Sequence, residues 1–231
     1  MKILCSICAR AGSKGLLKKN IKKFVNKPLI FYTINQAKKT NIFDKIVCSS
    51  DSLKILQISK KYGVDFTIKR PRNLCQENVP KLYAIKHLTK VTEKHFKTKF
   101  DLIVDLDITA PLRSQKDIIN SVNKIKNITN KPSNLLTLTP SRRNPYYNMI
   151  EIKNNRLVNV KKNKKKVTSR QKSPKVFDIN AGVYVWNRLG LLKNKGLINK
   201  NTRYYITPND RSLDIDSDLD FKIVQFLYKN K

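Results

Sequence analysis

Acidic residues are scarce in this chain of 231 residues, which carries 16 Asp and Glu against 49 Lys and Arg and a formal net charge of +33. Such a basic balance raises the question of nucleic-acid binding. Only 11 of the basic residues are arginine, however, and the lysines are spread along the chain among 24 asparagines. Dedicated nucleic-acid binders concentrate arginine and aromatic side chains instead. We therefore interpret the charge as a bias of the whole composition, and a nucleic-acid partner is disfavoured.

Long apolar runs and paired cysteines are also missing. No run approaches the ~20 residues of a transmembrane helix, and the apolar stretch at the N-terminus ends at Arg10 without the cleavage site of a signal peptide. Cys5 and Cys8 have the C-x-x-C spacing, but a strand directs them to opposite faces, and no second pair or nearby histidine completes a metal site. We expect reduced thiols in a cytoplasmic protein with no membrane partner.

Hydrophobic periodicity predicts an α/β architecture for the first half of the chain. Predicted strands cover 2–8, 45–49, 65–68 and 100–105, and predicted helices cover 28–40, 52–62, 79–96 and 114–127. Strands and helices that alternate at this spacing are typical of parallel βαβ units. The sequence therefore predicts a sheet layered with helices.

After residue 133 the pattern changes to short strands at 135–138, 149–152, 157–160 and 183–186. The basic run at 161–166 is typical of a solvated loop. No linker is long enough to separate two domains. A last helix is predicted near 217–229, where Leu219, Ile223 and Phe226 share a face. Ser217 and Asp220 have the spacing of a capping box at its N-terminus.

A glycine-bearing bend follows the first predicted strand, in the sequence Arg10-Ala11-Gly12-Ser13-Lys14-Gly15. Glycines let a backbone turn tightly and bring its N–H groups against an anion. Positive charge comes from Arg10, Lys14 and Lys19, and further donors are Ser13 and Asn20. The bend matches neither G-x-G-x-x-G nor G-x-x-x-x-G-K-[ST]. It suits a triphosphate at the carboxyl end of a strand, and its alternative is an ordinary basic turn.

Half of the 16 acids lie in two short windows, at Asp101, Asp105, Asp107, Asp210, Asp214, Asp216, Asp218 and Asp220. In an extended segment Asp214 and Asp216 point to the same side, and such a pair suits Mg²⁺, a hard cation that leaves room for substrate phosphates. Asp218 and Asp220 are assigned to the first turn of the last helix. Asp105-Leu106-Asp107 has the same spacing, so the D-x-D metal motif of a glycosyltransferase is an alternative.

Few other residues are candidates for chemistry. Pro111 in Thr109-Ala110-Pro111-Leu112-Arg113 ends the central strand, and Arg113 is expected to be structural, pairing with a nearby acid. His87 and His95 are expected on the surface of a lysine-rich helix. No serine or cysteine has the surroundings of a covalent nucleophile.

These segments, in this order, resemble the acylneuraminate cytidylyltransferase family. Its first motif, R-x-G-S-K-G followed by K-N, is met between residues 10 and 20. Similar segments follow as VCSSD at 47–51, RP at 70–71, TAPLR at 109–113, NAGVY at 180–184 and SLDIDSDLD at 212–220. The resemblance covers nearly the whole chain, and its first and last motifs together are specific.

The resemblance implies one nucleotidyltransferase domain over 1–231, a three-layer α/β fold with a mostly parallel sheet and helices on both faces. It also implies a homodimer with a small β-rich arm at roughly 140–177. By resemblance, CTP is held by Arg10, Gly12, Ser13, Lys14, Gly15, Lys19, Asn20 and Arg70. Mg²⁺ is held by Asp214 and Asp216, which with Arg10 and Lys19 are the expected catalytic residues. The residues expected to bind the sugar acid are Asp107, Thr109, Arg170 and Asn180, with Arg170 presented by the arm.

Two departures bear on the sugar. Asp107-Ile108 stands where sialate enzymes commonly have Q-P, and Asp178 stands where they have an arginine. The segments 106–113 and 142–146 look closest to the legionaminate branch. The implied reaction is CTP plus a nonulosonic acid giving the CMP-sugar and pyrophosphate. Alternatives are another sugar nucleotidyltransferase of the same fold, acting on 3-deoxy-manno-octulosonate or a different nonulosonate, a D-x-D glycosyltransferase and a non-catalytic nucleic-acid binder.

Overall fold

The computed structural model describes residues 1–12, 15–129, 132–162 and 169–230, without the side chain of Arg170. Its strands are β1 (Ile3–Ala9), β2 (Lys23–Phe24), β3 (Lys27–Pro28), β4 (Lys45–Ser50), β5 (Phe66–Lys69), β6 (Leu102–Leu106), β7 (Asn134–Pro140), β8 (Ile150–Lys153), β9 (Arg156–Asn159), β10 (Phe177–Asn187) and β11 (Thr202–Ile206). Its helices are α1 (Leu29–Thr40), α2 (Leu53–Lys61), α3 (Lys81–His95), α4 (Gln115–Lys126), α5 (Arg188–Lys193) and α6 (Asp218–Lys229). Among its short 3₁₀ turns are Lys19–Ile21 and Arg170–Lys172.

Seven strands form the main sheet in the order β11-β7-β10-β6-β1-β4-β5. β10 runs antiparallel to both of its neighbours, and the other pairings in this sheet are parallel. Parallel neighbours cannot be joined by tight turns, so α1, α2 and α3 lie between the strands β1, β4, β5 and β6 along the chain. The prediction of a mostly parallel α/β sheet is confirmed.

Two apolar clusters cover the two faces of this sheet. One face packs against α1, α2, α4 and α6, and the other packs against α3 and α5. Successive residues of β1 alternate between them, so that Cys5 belongs to the first cluster and Cys8 packs against the second. Helices on both faces give the predicted three layers, and the expected separation of the two cysteines is confirmed.

Several elements differ from the sequence prediction. The β2–β3 hairpin, α5 and β11 were not predicted, and β10 extends over Phe177–Asn187 where only 183–186 was expected. The predicted capping box of Ser217 and Asp220 is confirmed. The shared face of Leu219, Ile223 and Phe226 is exposed, whereas α6 buries Phe221 and Val224. This apolar pattern therefore does not mark the side of the helix that packs on the core.

Residues between β7 and β10 leave the main sheet and contain the separate β8–β9 hairpin. The hairpin is largely solvent-exposed, including Ile152, 74% exposed, and Leu157, 68% exposed. The predicted arm at 140–177 corresponds to this excursion, and its role in dimerisation stays a prediction. Within the described ranges no helix has both the length and the apolar character needed to cross a bilayer.

Candidate active site

A cavity of about 380 Å³ lies where β1 and β6 end at their carboxyl termini. Arg10 follows β1 directly, and Asp107 follows β6. Six residues predicted from the sequence line it: Arg10, Lys19, Asn20, Arg70, Asp107 and Thr109. The carboxyl ends of parallel strands are where α/β folds bind ligands, so the location matches the expected site.

The glycine-bearing bend is anchored to its surroundings through backbone groups. The Asn20 side chain donates from Nδ2 to the Arg10 carbonyl at 2.9 Å. The Ala11 N–H donates to Asp51 Oδ1 at 2.8 Å, and Asp51 follows β4. Ser13 and Lys14, both predicted to hold CTP, lie outside the described residues.

The bend lies directly against the aspartate segment from the far end of the chain. Gly15 packs so closely on Asp216 that a Cβ added to Gly15 would be 2.2 Å from the Asp216 carbonyl oxygen. Lys19 Nζ donates to the Ile215 carbonyl at 2.6 Å and to Asp216 Oδ1 at 3.0 Å. The Ile215 N–H in turn donates to the Thr109 carbonyl at 2.9 Å. The expected contact between the two segments is therefore confirmed, whereas Gly15, Asp214 and Asp216 are not among the residues that line the cavity.

Asp214 has the features of an incomplete cation site. Its Oδ2 accepts a hydrogen bond from the Ala181 N–H at 3.1 Å, whereas its buried Oδ1 has no hydrogen-bond partner among residues with described side chains. Burial, with a smaller contribution from the nearby carboxylates of Asp107 and Asp216, raises the pKa of Asp214 to about 6. A bound cation would offset both effects.

The donor set at Asp214 and Asp216 fits Mg²⁺, which prefers oxygen ligands and keeps several positions for water and phosphate. Asp216 is largely exposed, with 80% of its side chain accessible, so it is open to a ligand. The described part of the chain holds no group of three or more His, Cys, Asp or Glu side chains placed for a metal. A cation shared by the two carboxylates would therefore need further ligands of another kind, such as backbone or amide oxygens, water or phosphate.

A buried ion-pair cluster, not anticipated from the sequence, joins α3 to β6. Lys81 Nζ lies 2.6 Å from Asp105 Oδ2 and 2.7 Å from Asp107 Oδ2. Burial alone would raise the pKa of Asp107, but the Lys81 ammonium and hydrogen bonds from Thr109 hold it at about 2. The same two carboxylates raise the pKa of Lys81 despite its burial. No local pattern distinguishes Lys81 from the other lysines in the sequence.

Arg113 does not pair with an acid as expected. Its Nη1 donates to the Asp107 carbonyl at 3.1 Å and to the Gly182 carbonyl. Its Nη2 donates to Gln36 Oε1 at 2.9 Å. Burial lowers the pKa of Arg113 to about 10, so it stays protonated at neutral pH. The predicted structural role is retained, but the partners are backbone, amide and hydroxyl oxygens, because the guanidinium lies between the loop after β6, β10 and α1.

Asn180 lies in an irregular part of β10, where the register with β7 shifts between Ile179 and Tyr184. Its Oδ1 accepts from Thr137 Oγ1 at 2.6 Å and from the Gly182 N–H at 3.0 Å. Its Nδ2 donates to Thr207 Oγ1 at 2.7 Å. This buried amide shapes the bulge that presents the Ala181 N–H to Asp214, and the sugar contact that the resemblance implied for Asn180 stays a prediction.

Five other predicted site residues are not among the residues that line the cavity: Gly12, Gly15, Asn180, Asp214 and Asp216. Gly12 is exposed on the bend. Arg170 begins the 3₁₀ turn Arg170–Lys172, and its side chain lies outside the description. The segment from Leu74 to Ala84, by contrast, supplies one wall of the cavity although it carried no recognised motif.

Comparison with known proteins gives consistent matches along the chain. A family described as cytidylyltransferase matches residues 4–193. The chain is 43% identical to the CMP-N,N'-diacetyllegionaminic acid synthase of Campylobacter jejuni, over 99% of this chain and 96% of that protein. It is 42% identical to the post-translational flagellin modification protein B of Campylobacter coli over the same shares.

More distant matches agree with the fold. The chain is 27% identical to the N-acylneuraminate cytidylyltransferase of Escherichia coli, over 100% of this chain and 53% of that protein. The structure of a CMP:2-keto-3-deoxy-manno-octonic acid synthetase complexed with CTP superposes with a TM-score of 0.73 at 14% identity, covering 100% of this chain and 99% of that one. A 4-diphosphocytidyl-2C-methyl-D-erythritol synthase gives a TM-score of 0.68 at 10% identity, covering 98% and 99%.

Proposed function

Because the chain belongs to the cytidylyltransferase family, we propose that it transfers CMP from CTP to a nonulosonic acid of the legionaminic type and releases pyrophosphate. The observation that carries this proposal is the contact between the glycine-bearing bend and the Asp214–Asp216 segment beside one cavity. The choice of sugar is supported by the 43% identity to a protein named CMP-N,N'-diacetyllegionaminic acid synthase.

We assign the triphosphate of CTP to the bend. The proposed contacts are Arg10, Gly12, Ser13, Lys14, Gly15, Lys19, Asn20 and Arg70. Arg10, Lys19, Asn20 and Arg70 line the same cavity, which supports their grouping. Fixed cations placed where charge develops on a leaving group stabilise the transition state. Arg10 and Lys19 would therefore stabilise the departing pyrophosphate, while Asn20 orients Arg10 through its carbonyl.

Mg²⁺ is the proposed cofactor, held by Asp214 and Asp216. When bound, the ion neutralises phosphate charge and polarises the phosphorus that is attacked. Lys19 keeps Asp216 in place, and the Ala181 N–H orients Asp214 through one oxygen, leaving the other for a ligand. These two aspartates thus act as a preformed pair beside the bound triphosphate.

The sugar acid is proposed to lie against Asp107 and Thr109, with Arg170 approaching from the arm. Asp107 and Thr109 line the cavity. The anomeric hydroxyl of the sugar attacks the α-phosphorus in line, and the chain contributes chiefly by holding both substrates in that alignment. Asn180 would act by shaping the bulge under Asp214.

We further propose a homodimer located in the cytoplasm. The arm hairpin exposes Ile150, Ile152 and Leu157, which a second copy of the chain would cover. A lone two-stranded hairpin is marginal in water, so burial against a partner would also stabilise it. The free thiols of the chain suit a reducing compartment.

The proposal is tested by measuring pyrophosphate release with Mg²⁺, each of the four nucleoside triphosphates and a panel of sugar acids. The panel contains N,N'-diacetyllegionaminic, pseudaminic, N-acetylneuraminic and 3-deoxy-manno-octulosonic acids. Release is expected with CTP and to be fastest with the legionaminic acid. Fastest release with another acid would move the assignment to that sugar. Absence of sugar-dependent release with every pair would overturn it.

A further inference from the structure

We propose that Lys81 is a positioning residue whose ammonium takes the place of a divalent cation between Asp105 and Asp107. The inference rests on the proposed cytidylyl transfer only where turnover is used as a readout. The proposal assigns a function to the D-x-D spacing at the end of β6, which would otherwise be interpreted as a second metal-binding motif. It also explains how a buried carboxylate pair is tolerated beneath a site for polyanions.

The oxygens of the two carboxylates are already occupied by the protein. Lys81 Nζ reaches Oδ2 of both Asp105 and Asp107, at 2.6 and 2.7 Å. The remaining Oδ1 of Asp105 accepts from Ser6 Oγ at 2.9 Å. The remaining Oδ1 of Asp107 accepts from the N–H and the hydroxyl of Thr109, both at 3.1 Å. The arrangement is that of a cation site in which the Lys81 ammonium occupies the position of the metal ion.

The charge at this position has to be compensated. The Asp105 side chain is 1% exposed, and an ionised carboxylate at such a depth is costly without a counter-ion. Lys81 is partly exposed and lines the cavity, so its ammonium neutralises the aspartates on the side that faces the ligand. Without it, two negative charges would lie in the wall of a cavity proposed to receive CTP.

The ammonium also connects α3 to the loop after β6, which carries Asp107 and Thr109. Lys81 holds Asp107, Asp107 holds Thr109 through the bonds just described, and the Thr109 carbonyl accepts the Ile215 N–H at 2.9 Å. Ile215 stands between Asp214 and Asp216. Lys81 therefore fixes the position of the loop after β6, which contacts the Asp214–Asp216 segment. Asp214 and Asp216 then remain the carboxylates that are open to a metal.

The test counts Mn²⁺ ions bound per chain by electron paramagnetic resonance, without CTP, in the full-length protein. Lys81→Met removes the ammonium and is expected to add one Mn²⁺ to the wild-type number. The double variant Lys81→Met, Asp105→Asn is expected to return to the wild-type number. Lys81→Gln replaces Lys81→Met in both variants if the latter does not fold. Lys86→Met is the matched control, because Lys86 lies on α3 but bonds the carbonyls of Leu192 and Asn194.

Steady-state kinetics supply the second readout. Lys81→Met is expected to lower kcat for pyrophosphate release at least ~tenfold through misplacement of the loop, and Lys81→Arg is expected to recover part of it. The proposal is overturned if folded Lys81→Met binds the wild-type number of Mn²⁺ ions and matches Lys86→Met in kcat. Ion counting needs no turnover, so this result is distinct from a failure of cytidylyl transfer in the wild-type protein.

Discussion

At Gly15 the lack of a side chain is what lets the start and the end of the chain touch. The Asp216 carbonyl occupies the space in which a Cβ would stand. Lys19, from the turn that follows, then reaches the Ile215 carbonyl and the Asp216 carboxylate. A single methyl group at position 15 would therefore act on the position of a carboxylate 201 residues later in the sequence.

Gly15→Ala is expected to lower kcat for pyrophosphate release by about 10²-fold, since misplacement of reacting groups by roughly 1 Å has effects of this size. Neither partner is a flexible side chain, so the backbones have to move apart. Gly196→Ala is the matched control, because a Cβ there would meet no atom within 4 Å. Equal turnover of the two variants would contradict the proposed role of the close contact.

Residue identity and spacing predicted part of this site. Glycines after a strand and paired aspartates in an acid-poor chain are local signals, and they identified Arg10, Lys19 and the Asp214–Asp216 pair. Lys81 was missed because its partners, Asp105 and Asp107, come from another part of the chain. In a sequence so rich in lysine, nothing distinguishes this lysine from the others. The assignment of Asn180 to the sugar stays a prediction, because a motif names a residue without showing which partners its amide bonds, here Thr137, Gly182 and Thr207.

At the scale of elements, the irregularity in β10 positions Asp214. The bulge turns the Ala181 N–H toward that carboxylate and the Gly182 carbonyl toward Arg113. Arg113 also holds the Asp107 carbonyl, so one guanidinium joins the bulge to the loop after β6. Bulges commonly re-aim groups next to active sites.

Arg113→Met is expected to lower the free energy of unfolding by about 1–3 kcal/mol, because buried carbonyls lose their donors. Arg113→Lys should recover less than half of the loss, since an ammonium cannot reproduce the planar fork of donors. Urea unfolding measures both. Arg156→Met, at an exposed position of β9, is the control. Unfolding midpoints that match this control would refute the bridging role of Arg113.

The arm is an element whose strands were predicted. The short strands expected at 149–152 and 157–160 lie within one residue of β8 and β9. The exposed face of α6 and the edge strand β11 were harder to predict, because an apolar residue on the surface and one in the core have the same local signature. Burial is decided by the neighbours that the fold supplies.

Ile152→Asp combined with Leu157→Asp is expected to convert the proposed dimer into monomers and to lower turnover, because charges replace exposed apolar side chains on the hairpin. Light scattering coupled to size exclusion gives the mass. Leu53→Asp is the control, since Leu53 is similarly exposed, at 64%, but lies on α2. A dimer that persists in the arm variant would exclude the hairpin from the interface.

For the whole molecule, the strand order explains why distant motifs converge. β1 and β6 are parallel neighbours at the centre of the sheet, so the bend and the Asp107 loop emerge at one edge. The sequence predicted the alternation of strands and helices but not the order β11-β7-β10, since an antiparallel insertion depends on pairings between strands far apart in the chain. The excess of lysine has no structural explanation beyond the few residues discussed.

The most direct measurement compares the turnover of Asp216→Ala with that of Asp218→Ala, at saturating CTP, sugar acid and Mg²⁺. Both aspartates are exposed, at 80% and 69% of their side chains, and each pairs with one lysine. Because the carboxylate of each pair is exposed, its loss should cost little stability, and both variants should fold. We predict that kcat falls by about 10²- to 10³-fold in Asp216→Ala and stays within about twofold of wild type in Asp218→Ala. Equal turnover in the two variants would contradict the proposed site.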